Sequence, residues 1–213
     1  MAEITAALVK ALRERTGAGM MECKSALVES KGDLAEGEVV LRKRGIASAG
    51  KKASRATKQG LIGTYIHHGA QLGVMVEINC ESDFVARTDD FQELVHDVAM
   101  HIAAADPRYL RREDVPEAIL DKEKEIARDR AKAEGKPEKV LDRIVEGRVA
   151  KYYEETCLLD QPFVKEGTLT IDQLVKTKIA KLGENITIPR FVRFKVGDAP
   201  AAGAGAEDRS AGQ

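Results

Sequence analysis

The feature that most constrains this chain is an alternation that stops abruptly. Val74, Val76, Ile78 and Cys80 alternate with Met75, Glu77 and Asn79, the two-residue period of a strand with one buried face. Ser82 breaks the run. Beyond it Phe91, Leu94, Val95, Val98 and Ile102 recur at helical spacing, which predicts an amphipathic helix over 89–105. A chain that changes period within so short a stretch turns a corner there. Ser82 is its natural cap, because the hydroxyl can accept from a following backbone N–H, and Thr88 offers a second cap. Asp83 and Phe84 sit on the corner. From pattern alone Phe84 closes the local core and Asp83 caps a helix; the competing reading is that the pair forms an exposed probe.

The rest of the chain organises around that corner as an α+β fold. Residues 1–45 read as three short helices. Ile4, Leu8 and Leu12 line the first, with Thr5 as cap and Thr16-Gly17 as stop; residues 21–30 supply the second. Lys31-Gly32-Asp33 makes a turn, and Asp33 with Glu36 opens a third helix that Gly45 is expected to end. From residue 46 to residue 59 the acids vanish while Lys51, Lys52, Arg55 and Lys58 appear among small residues, which reads as a solvated, partly helical basic linker.

A core domain over 60–196 follows. Residues 61–67 and 74–80 pair as a hairpin around Gly69 and Gly73. Pro116 opens a charged helix that Gly135 and Pro137 stop, and a second helix with Val140, Leu141, Ile144, Val145, Val149, Tyr152 and Tyr153 on its apolar stripe returns at once, so 116–157 should be an antiparallel helical hairpin. Thr170 caps a helix ending at Gly183. In a last strand over 185–196, Ile186, Ile188, Val192, Phe194 and Val196 are expected on one face, with Pro189 marking an edge or a bulge. The expectation is a three-stranded antiparallel sheet with helices on one side. Residues 197–213 have too little apolar surface to fold and should be disordered.

Composition narrows the function. With 213 residues, 43% hydrophobic, the chain can bury a core. No apolar run approaches the roughly 20 residues that cross a bilayer, and the N terminus does not resemble a signal peptide, so no membrane partner is expected and the protein should stay in the cytoplasm. A net charge of −1 with 32% charged residues points to no polyanionic partner. Four linker cations without an interleaved aromatic are a weak basis for nucleic-acid binding. Cys23, Cys80 and Cys157 are odd in number and widely spaced, which argues for packed thiols. His67, His68, His96 and His101 lack metal-motif spacing, and the chain has no phosphate loop, dinucleotide fingerprint or nucleophile elbow. No cofactor and no enzymatic activity are expected.

Three stretches together resemble one family. Asn79-Cys80-Glu81-Ser82-Asp83-Phe84-Val85-Ala86-Arg87 is similar to the Thr-Asp-Phe-Val signature of the elongation factor Ts family, the guanine nucleotide exchange factors of elongation factor Tu. Val9-Lys10-Ala11-Leu12-Arg13-Glu14-Arg15-Thr16-Gly17-Ala18-Gly19-Met20-Met21-Glu22-Cys23-Lys24 resembles the other signature of that family, and Lys181-Leu182-Gly183-Glu184-Asn185-Ile186 gives a third match. Ser82 stands where the family usually has threonine; it keeps the capping hydroxyl and loses a methyl.

The resemblance implies a ubiquitin-associated type of three-helix start and a short form with a single core module, for which dimerisation through the core is a hypothesis. It implies binding to GDP-bound and nucleotide-free elongation factor Tu. Ser82, Asp83, Phe84 and Val85 would then disturb the partner's Mg²⁺ and phosphate site, with Phe84 as a wedge and Asp83 acting on the polar network. Arg13, Met20 and Met21 would grip the nucleotide domain; without the family, the two methionines read as bundle core. Rival readings are a ubiquitin-binding adaptor, a nucleic-acid binder using the linker and Arg111-Arg112, and a redox enzyme using Cys80.

Overall fold

A computed structural model describes residues 4–198. The chain opens with three helices, α1 (Ala6–Thr16), α2 (Met20–Glu29) and α3 (Leu34–Lys52). The Thr5 hydroxyl accepts from the N–H of Leu8, and the Asp33 carboxylate from that of Glu36. Gly17 takes the left-handed conformation, φ 67°, that ends α1. Leu12, Cys23, Ala26 and Leu27 are fully buried between the helices, a core small enough that the bundle needs further support.

That support corrects the expectation of a helix stop at Gly45, and it docks the helical part of the basic stretch, whose residues 53–56 remain exposed. Helix α3 runs through Gly45 to Lys52 and lies against α8 (Ile171–Leu182). A side chain at Gly45 would place its Cβ 3.0 Å from that of Ala180, so the glycine serves close helix approach rather than termination. Ala49 is buried in the main core, and the Lys52 ammonium donates to the Ile179 carbonyl at 3.3 Å. The acid-free stretch is thus half helix, docked on its basic and small-residue side.

The core sheet is antiparallel, in the order β1 (Gln59–Ile66), β2 (Leu72–Cys80), β5 (Thr187–Lys195). Val74, Val76, Ile78 and Cys80 point inward as their alternation predicted, against Phe91, Leu94, Val98 and Ile102 of α5 (Asp89–Ala105). A short helix α4 (Asp83–Ala86) joins β2 to α5. Helices α6 (Glu117–Ala133) and α7 (Glu138–Thr156) form the antiparallel hairpin, turned at Gly135 with φ 72°. Leu141 and Val145 are buried on its stripe, while Val140 is exposed. A small hairpin, β3 (Pro162–Phe163) with β4 (Glu166–Thr170), precedes α8 and had no counterpart in the sequence reading.

The last strand departs from its expected phase. Ile186 and Ile188 are buried, but Val192, Phe194 and Val196 are exposed, and Phe191 and Arg193 face the core side instead. The pairing of β5 with β2 slips between Glu77 and Asn79, where Ile188 and Pro189 together stand opposite Ile78. One extra residue at such a bulge reverses every side chain beyond it. Pro189 did mark a bulge, on a strand at the sheet edge. The outer sheet face consequently carries Ile62, Ile66, Met75, Val192 and Phe194, all exposed. The disorder expected for 197–213 falls, from residue 199 on, outside the described residues.

Candidate functional site

The corner after β2 is built by local capping and a long-range brace. The Ser82 hydroxyl accepts from the N–H of Val85 at 3.4 Å, as its position suggested, and Thr88 caps α5 in the same manner. Ser82 also donates its proton to Glu184 Oε1 at 2.6 Å. The other oxygen of Glu184 accepts from the N–H groups of Glu81 and Ser82, at 3.1 and 3.0 Å. Glu81 returns the bond, its Oε1 accepting from the N–H of Asn185 at 2.6 Å. Asn185, itself buried, donates its amide to the carbonyls of Ala53 and Arg55 just beyond α3. Leaving the sheet deprives residues 81 and 82 of ladder partners, and a carboxylate from the far end of the chain replaces them.

On this base the site residues separate. Phe84 is 78% exposed, so it does not close the local core. Asp83 is half-exposed and pairs with Arg87 at 2.9 Å, one helical turn on. Val85 is partly buried and packed on the core, an anchor under the corner. Beneath it the Cys80 thiol, fully buried, donates to the Ser82 carbonyl at 3.1 Å. Burial, then the nearby Glu184 carboxylate, push its pKa up, the opposite of what a nucleophilic thiol needs. Cys23 and Cys157 are also free and buried, so the redox reading loses its residues.

The second expected patch lies on the bundle. Met20 and Met21 are 57% and 74% exposed, and Arg13 is exposed. The bundle core is made instead by Val9, Leu12, Cys23, Ala26, Leu27 and Val40. Arg13, Met20 and Met21 belong to α1 and the start of α2, apart in sequence from the corner. The third motif connects the two regions. Lys181 packs on the Gly17 turn so closely that a Cβ there would lie 2.5 Å from its Cε, while its ammonium pairs with Asp90 at 2.7 Å in the first turn of α5. Lys178 joins Asp90 and Glu93 in the same cluster. The hydrogen bond from Lys181 holds the Asp90 carboxyl below its ordinary value.

Sequence reasoning missed two participants. Arg87 stood in the quoted motif without a role, and its spacing from Asp83 could have given one. Glu184 stood in the third quoted motif, also without a role, and spacing could not supply one, since its partner is 102 residues away. Among the described residues no group of histidines, cysteines and acids could hold a metal ion, and no helix is long and apolar enough to cross a membrane.

Comparison with known proteins agrees with the three motifs. The profile of the family described as Elongation factor TS matches residues 45–198. The chain is 79% identical over 211 residues to the Elongation factor Ts of Solibacter usitatus, covering 99% of this chain and 100% of that protein. It is 60% identical to the Elongation factor Ts of Koribacter versatilis, over 92% of this chain and 89% of that one. With the Elongation factor Ts of Thermosipho melanesiensis the identity is 54%, over 92% of this chain and the whole of that protein. A family profile over residues 45–198 and 79% identity along the whole of a curated relative leave one conclusion, that this chain belongs to the elongation factor Ts family.

Proposed function

We propose that this protein is a guanine nucleotide exchange factor that binds elongation factor Tu with GDP, opens its nucleotide site and leaves the empty factor ready for GTP. Its action is noncovalent and needs no cofactor, and the partnership puts it in the cytoplasm. The observation that carries the reading is Phe84, exposed at the tip of a corner held from below. Burying a phenylalanine side chain in a partner releases about 1.5–3 kcal/mol. A rigid mount lets that energy displace partner groups instead of being absorbed by a moving loop.

Asp83 can join in at little cost. Its pair with Arg87 is solvent-exposed, and exposed pairs contribute at most about 1 kcal/mol, so the carboxylate can turn toward a polar network in the partner. Mg²⁺ demands near-ideal octahedral oxygen geometry. Small displacements around it therefore loosen a nucleotide held through its phosphates. Each 1.4 kcal/mol removed from the release barrier gives about tenfold in rate. Arg13, Met20 and Met21 grip the nucleotide domain with an adaptable apolar contact and a guanidinium. Because coupling is reciprocal, GDP and GTP weaken the factor's own grip, which completes the cycle.

A second reading concerns assembly. The outer sheet face bears Ile62, Ile66, Met75, Val192 and Phe194, and Glu77 and Arg190 pair across it at 2.7 Å. Two copies stacked by a two-fold axis bury both faces as a sandwich, each presenting the same apolar patch with both charge signs beside it.

The decisive measurement is release of fluorescent GDP from elongation factor Tu, comparing wild type with an Asp83→Ala, Phe84→Ala double variant shown folded by circular dichroism. Fast release lost in the variant is the expected outcome. No acceleration by wild type overturns the exchange reading; acceleration that persists in the variant moves the site to the bundle.

A further inference from the structure

We infer that Glu184 is the positioning residue of the exchange corner, setting the direction of Phe84 through the two backbone N–H groups and the hydroxyl that it holds. The inference rests on the exchange reading for its functional half and on geometry for the rest.

The chain leaves β2 after Cys80, so nothing in the sheet pairs with the N–H groups of Glu81 and Ser82. Glu184 accepts both on one oxygen and the Ser82 proton on the other. Hydrogen bonds to an ionised acceptor are shorter and roughly twice as strong as neutral ones. With its proton given to Glu184, the Ser82 oxygen has its lone pairs free for the N–H of Val85. The same hydroxyl thus links the carboxylate below to the first turn of α4 above.

The brace is reciprocal, and it reaches the other contact patch. Glu81 accepts from the N–H of Asn185, and Asn185 bonds the carbonyls of Ala53 and Arg55 where α3 has ended. Three residues before Glu184, Lys181 fills the space beside Gly17 in the bundle. One short segment, from the last turn of α8 into β5, therefore registers both the corner and the bundle that carries Met20 and Met21. Two patches that must engage one rigid partner together need such a common reference, since displacement of a reacting or contacting group by an ångström is enough to change rates by about 100-fold.

A purely structural role would lower stability and leave the behaviour of folded protein unchanged. A positioning role lowers the maximal rate of GDP release at saturating protein while the half-saturating concentration, set largely by the bundle, stays put. For Glu184→Ala the expected result is a maximal rate about tenfold lower with half-saturation within about twofold of wild type, the loss of one braced contact's worth of barrier lowering. Glu184→Gln, which keeps one oxygen for the two N–H groups, should recover part of that rate. Ser82→Ala should lose rate and Ser82→Thr should keep it. Hydrogen exchange on the free protein supplies a readout independent of any partner: the amides of Glu81, Ser82 and Val85 should be protected in wild type and lose protection first in Glu184→Ala.

A wild-type maximal rate in folded Glu184→Ala overturns the inference, as does a rate that falls only in proportion to unfolded protein. Unchanged protection of the three amides in that variant also overturns it. Should Glu184→Ala fail to fold, the comparison of Ser82→Ala with Ser82→Thr decides in its place, equal rates overturning the inference. Should wild type itself not accelerate GDP release, the exchange reading fails separately and the amide protection alone decides whether Glu184 holds the corner.

Discussion

Phe84 and Phe91 sit on consecutive helices and meet opposite fates, the first in solvent and the second fully buried. Phe91→Ala should lower unfolding free energy by about 3–5 kcal/mol through lost burial and a cavity. Phe84→Ala should stay within about 0.5 kcal/mol of wild type in the same urea titration, because its side chain is 78% exposed and buries little against the fold. At position 84 pattern alone favoured the core, and only the family motif favoured exposure; α4 is too short for an apolar stripe to distinguish the two. His101 offers a different test. Its imidazole is buried, with Nε2 bonded to Gln161 Oε1 and Nδ1 accepting from the N–H of Val164. That arrangement requires the neutral ring, and burial pushes the pKa below the ordinary 6.5, with the Gln161 bond opposing. A depressed folded pKa means that the stability it contributes is complete above 6.5 and is lost as pH falls through the folded value. Urea midpoints should therefore drop on acidification from pH about 7.5 to about 5, and less so in His101→Gln.

Helix α3 shows what a glycine means at the scale of an element. Gly45 and Gly50 lie on the same helix, but a Cβ at Gly45 meets Ala180 at 3.0 Å whereas one at Gly50 meets nothing within 4 Å. Gly45→Val should destabilise by about 1–3 kcal/mol by forcing α3 off α8, and should expose the region between bundle and core to limited proteolysis. Gly50→Ala should stabilise by about 0.5 kcal/mol through backbone entropy, seen as a small rise in melting temperature. The contrast also explains which elements could be read from sequence. The caps at Thr5, Asp33, Ser82, Thr88 and Thr170 are local, each hydroxyl or carboxylate accepting from an N–H three residues on, and their helices begin where expected. The stop at Gly45 and the single face of β5 failed because each depends on a distant partner: α8 in one case, the slipped register with β2 in the other. Glu184 was illegible as a brace for the same reason.

At the scale of the whole molecule, the unpartnered sheet face and the braced corner are on one chain but not on one surface. Ile62, Met75 and Val192 project from the side opposite α5. Sedimentation at micromolar concentration should show a dimer, and Phe194→Glu should yield a folded monomer, since placing a carboxylate in a paired apolar face leaves it without solvent or partner. A wild-type monomer under those conditions would remove the dimer. The corner has its own native gauge. The Cys80 sulfur lies fully buried under Ser82 and gives its proton to that residue's carbonyl, so a thiol reagent in water reaches it only when the overlying backbone lifts. The rate at which Cys80 is consumed, set against Cys23 in the bundle and Cys157 beside α7, is in effect a clock for how often the corner after β2 comes loose, running without any nucleotide or partner in the tube.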